Sequence, residues 1–210
     1  MKDKNLILVA KMFTVLFAPH YFPLLCLLVL MGFSYMRSFP LNYKIFVLAV
    51  VYVFTVVAPM LLISLYHRMM KHTIKQRLRR ELRMVPYCLS LICYFACYHV
   101  MSFFVVPHFV VSVVIAAICV QLVCLLCNNW HKVSTHSAAA GAMNGALMAF
   151  SIIFNFNPTW WLCLTIIIAG AVGSSRLILR RHSLAEVQSG MVLGLWWVFG
   201  PYCFCKGTLY

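Results

Sequence analysis

The feature that most limits what this chain can fold into is its succession of apolar runs, several as long as the ~20 residues a helix needs to cross a bilayer. Polar links separate them, each too short to fold as a domain of its own. A first run follows Lys2, Lys4 and Lys11 and continues to about Gly32; later runs cover about 45–66, 87–105, 109–127, 138–156, 160–172 and 184–199. A composition 64% hydrophobic and only 10% charged excludes an ordinary soluble protein. The expectation is an all-α integral membrane protein, a bundle of about six to seven transmembrane helices forming a single polytopic domain over residues 1–210. All chemistry must then sit at or in the membrane.

The first run resembles the front of a signal peptide, but Pro19, His20 and Pro23 interrupt it and no small-x-small site follows. It is expected to be a first membrane segment kinked or broken at its prolines. The ten cysteines fall mostly inside apolar runs, where a free thiol behaves as a small hydrophobe, and they do not form a disulfide framework. Cys124 and Cys127 are spaced like half a zinc site, yet no second pair with metal spacing accompanies them. No metal and no cofactor is expected.

A formal charge of +14 could point to nucleic acid. Here the cations flank apolar spans and build no soluble basic face, so anionic lipid is the expected partner and nucleic acid is not. Lys and Arg are also distributed unevenly: fourteen fall on the side of the N-terminus and the three polar clusters described next, three on the other. By the positive-inside rule the cluster-bearing face is cytoplasmic.

Three polar clusters interrupt the runs. The first, 67–83, is a helical-looking basic segment holding Lys75, Arg79, Arg80 and Arg83 ahead of Pro86; its ordinary meaning is headgroup contact or topology setting. The second, Asn128 to Ser137, opens into the small-residue run Ala138–Ala142. A polar cluster that begins a helix offers unpaired backbone N–H groups to an anion, and Ser134 or Thr135 would cap that helix.

The third cluster, Gly173 to Glu186, contains Ser175-Arg176, then after five intervening residues His182, and Glu186 four positions after that. An Arg offers a planar fork of donors for phosphate oxygens. A His is the side chain most readily made a nucleophile near neutral pH. On a helix a carboxylate four residues later shares the ring's face and can accept its N–H. Glu186 is one of only three acidic residues in the chain. Ser183 and Glu186 equally fit a helix capping box. Two spans separate the first cluster from the second and two more the second from the third, so all three are expected on one face.

The third cluster resembles a signature of the type 2 phosphatidic acid phosphatase superfamily: Ser-Arg, five residues, His, three residues, Asp. Glu186 stands where that family has Asp and is one methylene longer. Ser134-Thr135-His136 resembles its Ser-Gly-His signature, with Thr135 in place of Gly. Lys75 and Arg83 are similar to its Lys, six residues, Arg-Pro signature, but with seven residues between them and the proline, Pro86, three positions after Arg83 instead of immediately.

The resemblance implies a phosphatase-like core over about 67–201 and a metal-independent membrane phosphatase acting on a lipid or polyprenyl (pyro)phosphate. His182 would be the nucleophile, Glu186 its orienter and His136 the acid for the leaving group. Arg176, Ser134, Thr135, Ser175, Lys75 and Arg83 would bind phosphate. The expected setting is the plasma (inner) membrane, multi-pass, where the family's active face usually looks outward, against the charge count. The departures from the signatures leave a second reading, a non-catalytic phospholipid-binding or lipid-translocating protein that keeps the phosphate site.

Overall fold

The structure is a computed structural model that describes residues 2–33, 39–69, 81–130, 132–155 and 157–205. All regular structure among these is helical: α1 (Lys2–Leu16), α2 (Phe22–Phe33), α3 (Leu41–Tyr52), α4 (Ala58–Met69), α5 (Glu81–Phe103), α6 (His108–Trp130), α7 (Thr135–Phe154), α8 (Thr159–Ile178) and α9 (Leu184–Cys205). Among the described residues, six helical stretches are long and apolar enough to cross a membrane: Asn5–Gly32, Leu41–Met69, Met84–Phe103, His108–Asn128, Thr135–Phe154 and Thr159–Ile178. A shorter apolar stretch, Leu184–Phe199, lies in α9. The protein is an all-α membrane protein of the expected class.

The chain forms two compact units, one of Met1–Phe22 with Leu126–Tyr210, the other of Pro23–Leu125. In the second unit α4 and α5 pack together, and a π turn at Val53–Val57 joins α3 to α4. Pro59 accounts for that turn, because its ring would collide with the carbonyl of residue 55 in a regular helix. The α5–α6 connection at Val106-Pro107-His108 is tight, as expected, with the Val106 N–H donating to the Met101 carbonyl at 3.1 Å.

In the first unit the prolines break the first run. Ala18, before Pro19, is extended (φ −65°, ψ 147°), and a 3-10 turn at Pro19–Tyr21 follows before α2. Helix α1 packs on α8, and the 3-10 turn packs on α7. The sixth run proves longer than expected. Helix α8 continues through Ser174, Ser175 and Arg176 to Ile178 instead of ending at about 172. A helix satisfies its own backbone whatever the side chains are, and here Ser174 faces outward while the next two find cover. The Ser175 hydroxyl donates to the Val172 carbonyl at 2.7 Å, and Ser175 and Arg176 are both buried.

Helix α7 is the core of this unit, with twelve buried residues packed chiefly against α9. Both helices carry Gly-x-x-x-Gly, Gly141 to Gly145 on α7 and Gly190 to Gly194 on α9, and the two stripes face each other. Small residues let membrane helices approach backbone to backbone. A Cβ on Gly194 would stand 1.9 Å from the Ala138 carbonyl oxygen, and one on Gly141 would stand 2.1 Å from that of Met191. Neither site has room for a methyl group unless one helix moves. Gly194→Ala is therefore expected to destabilise the detergent-purified protein by at least ~1–3 kcal/mol, the ordinary cost of overpacking. Gly170→Ala, with nothing within 4 Å of the added carbon, should be neutral or slightly stabilising; thermal unfolding of the two variants side by side checks both.

Candidate active site

The three segments that converge at one end of the first unit are the start of α7, the α8–α9 turn and the start of α9. Ser134 caps α7: its Oγ accepts the Ser137 N–H at 3.5 Å and the Ser137 hydroxyl at 3.0 Å. The Ser134 N–H donates to the Glu186 carbonyl at 3.2 Å, joining the start of α7 to the first turn of α9. Thr135 and His136 then form the first turn of α7, where backbone N–H groups lie beyond the reach of helical acceptors.

The α8–α9 turn closes in a Schellman arrangement. The Arg180 N–H donates to the Leu177 carbonyl at 2.9 Å and the Arg181 N–H to that of Arg176 at 3.3 Å. Arg180 sits at φ +48°, the left-handed conformation that this motif usually assigns to Gly. The turn sends the chain back so that His182 and Ser183 precede α9 directly. A second device fixes that start. The Glu186 N–H donates to Ser183 Oγ at 3.3 Å, and the Ser183 N–H donates to Glu186 Oε2 at 3.4 Å, a reciprocal capping box.

The same Oε2 lies 2.7 Å from His182 Nδ1. A carboxylate can only accept, so Nδ1 carries the proton and Nε2 keeps its lone pair. The two readings left open for Glu186 are thus both realised by one oxygen. The His182 side chain is 11% exposed. Its burial, first, and the Arg176 and Lys132 cations hold its pKa below the ordinary 6.5, while the Glu186 hydrogen bond and charge work the other way. Lys132 Nζ lies 3.8 Å from the same carboxylate oxygen and donates to the Arg181 carbonyl at 2.8 Å.

Arg176 is 8% exposed in the last turn of α8. Its charge acts on both His182 and His136, and the His136 ring also lies in the field of His182 and His20. A backbone hydrogen bond links the His136 ring to Thr14. Thr14 is among the last four residues of α1, whose carbonyls have no helical partner. His136 Nδ1 is buried and has no hydrogen-bond partner among the described residues. Ser175 packs behind, its Oγ 3.4 Å from Thr14 Oγ1. Beside Glu186 opens a cleft of about 420 Å³, lined by Lys132, Glu186 and Ser189 and by the apolar Val133, Ala185 and Leu193.

Of the residues expected from sequence, His136, Arg176, His182 and Glu186 thus meet electrostatically or by hydrogen bonds, with Ser134, Thr135 and Ser175 on the adjoining turns. Arg83 belongs to the first turn of α5 in the other unit, and Lys75 lies outside the described residues. Sequence reasoning missed Thr14, for which the Pro19 break is the one available signal. Lys132, the sole Lys or Arg in its polar link, counts from sequence among the cations open to a functional use, without a specific role.

The fold and site define a multi-pass helical membrane protein with a carboxylate-held histidine beside a buried arginine. The family pattern of the PAP2 superfamily matches residues 126–206, a stretch that contains Ser134, His136, Arg176, His182 and Glu186 but neither Lys75 nor Arg83. The match is consistent with the PAP2 superfamily that the resemblance implied, and that superfamily is generally of phosphatase type. No curated protein and no solved structure matches the chain.

Because a non-Gly residue in the left-handed region costs roughly 1 kcal/mol, Arg180→Gly should raise the thermal midpoint of the protein. Arg180→Val, β-branched and least tolerant of that backbone, should lower it. Equal midpoints for the two would mean that the turn does not hold Arg180 at positive φ.

Proposed function

We propose that the protein is a membrane phosphatase that removes phosphate from a lipid or polyprenyl phosphate, without a metal ion and through a phosphohistidine. It would work as a multi-pass protein of the plasma (inner) membrane. The observation that carries this reading is the 2.7 Å contact between His182 Nδ1 and Glu186 Oε2, which leaves Nε2 as a free nucleophile.

In the first step His182 Nε2 attacks phosphorus in line and the bond from phosphorus to the lipid oxygen breaks. Positive charge appears on the imidazole and is balanced by Glu186. His136 delivers a proton to the departing oxygen, so the lipid leaves as an alcohol. A buried ring nitrogen with no protein partner is unfavourable by itself. It suits a group whose hydrogen-bond partner is the substrate. In the second step water attacks the phosphohistidine, His136 takes its proton, the P–N bond breaks and inorganic phosphate is released, as reversibility requires.

Arg176 neutralises the equatorial oxygens, where positive charge counts most in a loose transition state. The amides of Thr135 and His136 add donors at a helix N-terminus. Ser134 and Ser175, whose hydroxyls are engaged inside the protein, support this by shaping the two turns. The apolar lining of the neighbouring cleft suits a lipid substrate better than a small soluble ester.

The test is phosphate release from a panel of lipid phosphates and pyrophosphates by the detergent-purified protein with EDTA present. Wild type should turn over, and His182→Ala should lose at least ~1000-fold in kcat, with His136→Ala losing ~100-fold or more. No release from a folded protein that still binds the panel would replace this reading by lipid binding or translocation.

The pH profile gives a second expectation. Protonation of Nε2 removes the nucleophile, and the pKa of His182 is depressed. The acid limb of kcat/KM should then lie below the ordinary histidine value of about 6.5. Glu186→Gln removes an influence that raises this pKa, so its acid limb should move lower still while the rate falls.

A further inference from the structure

Lys132 is held differently from an ordinary surface lysine. It belongs to the four-residue link 131–134 between α6 and α7, yet its ammonium reaches the opposite segment, 2.8 Å from the Arg181 carbonyl and 3.8 Å from Glu186 Oε2. Arg181 and Glu186 bracket His182 in sequence, one before and one after. The two contacts therefore fix both flanks of the histidine from outside its own turn. The backbone adds a third tie in the same place, from the Ser134 N–H to the Glu186 carbonyl. The link that carries Lys132 leads directly into the turn that carries His136.

We propose that Lys132 is a positioning residue that locks the α8–α9 turn onto the α6–α7 link and anchors the Glu186 carboxylate beneath His182. This rests on the reading of His182 as the nucleophile, and it adds a control over that nucleophile. The turn needs such an anchor. It reverses the chain through a non-Gly residue at positive φ, and its Schellman bonds secure only the α8 side. A half-exposed ammonium (46%) contributes little to overall stability as an ion pair. Fixing a reacting group is a different matter, since a displacement of about 1 Å can cost ~100-fold in rate.

The ammonium also sets the charge balance of the pair. Among the described residues, the groups facing His182 are Glu186 on α9, Arg176 on α8, Lys132 from the link and His136 on α7. Of these, Lys132 is the cation that touches both the carboxylate and the turn. Without it, Glu186 has His182 as its principal cationic partner, and protonation of the ring becomes easier.

The experiment compares wild type, Lys132→Met and Lys132→Arg by two readouts. One is the titration of His182 by NMR of 15N-histidine-labelled protein in detergent, with the resonance assigned by loss in His182→Gln. The other is kcat and KM for phosphate release. The expected result is that Lys132→Met moves the His182 titration to higher pH and lowers kcat on the order of 10-fold with KM within about 2-fold, and that Lys132→Arg restores both.

An unchanged His182 titration in Lys132→Met, with the same thermal midpoint as wild type, overturns the proposal. So does a rise in KM with kcat unchanged, which would make Lys132 a substrate ligand. If no substrate in the panel is hydrolysed, the phosphatase reading fails, but the titration still decides whether Lys132 governs His182.

Discussion

The close contact between α7 and α9 is the constraint on which the rest of the site depends. Lipid offers no hydrophobic drive for helices to associate, so packing density and backbone proximity must supply it. Two facing Gly-x-x-x-Gly stripes do so here, with carbonyl oxygens lying where a methyl group would otherwise stand. The approach continues to the helix ends. A Cβ on Gly190 would be 2.7 Å from the Ser134 carbonyl, and the Ser134 N–H reaches the Glu186 carbonyl. A chain entering α7 and a chain entering α9 are thereby brought together at their first turns. The general acid expected from one and the histidine–carboxylate pair of the other then share a location without a long loop to carry either.

Electrostatics builds on that frame. In a chain of net charge +14 with three acidic residues, a carboxylate is a scarce resource. One oxygen of Glu186 faces His182, the Ser183 amide and Lys132. Cations on two sides and burial make a protonated His182 unfavourable, while the carboxylate keeps the ring's tautomer and direction fixed. The buried Arg176 works in the same low-dielectric setting, where its charge is screened little by water. Positive charge thus gathers on both sides of the ring.

What the sequence disclosed, and what it did not, follows from the range of each signal. Span number and helical class were legible because hydrophobic runs of bilayer length are a local property. The break at Pro19 was legible for the same reason, since proline acts on its own backbone and on the residue before it. The pairing of His182 with Glu186 was readable because an interval of four residues fixes their geometry on a helix start. The end of α8 was not: polarity at Ser174–Arg176 looked like an interruption, but Ser175 and Arg176 turn into the packed interior and the helix runs on. The contribution of Thr14 was hidden for a different reason. A backbone carbonyl has no letter in the sequence, and α1 meets α7 and α8 only through the tertiary fold.

Glu at position 186, where the family pattern has Asp, illustrates how local geometry can absorb a departure. Relative to α9, Ser183 is the cap and Glu186 the third helical residue, the position from which a side chain reaches back to the cap's own N–H. His182 lies one residue further out. To touch both, a carboxylate must extend past the cap, and the additional methylene of Glu supplies that reach, giving 3.4 Å to the Ser183 amide and 2.7 Å to Nδ1. The longer side chain is also the more flexible one, with more rotamer freedom to lose. It is held at both ends of its reach, by the amide behind and by Lys132 alongside. In this chain the ring's position is therefore set by three contacts converging on one oxygen, and the identity of the acid is tied to the capping geometry of the helix that bears it.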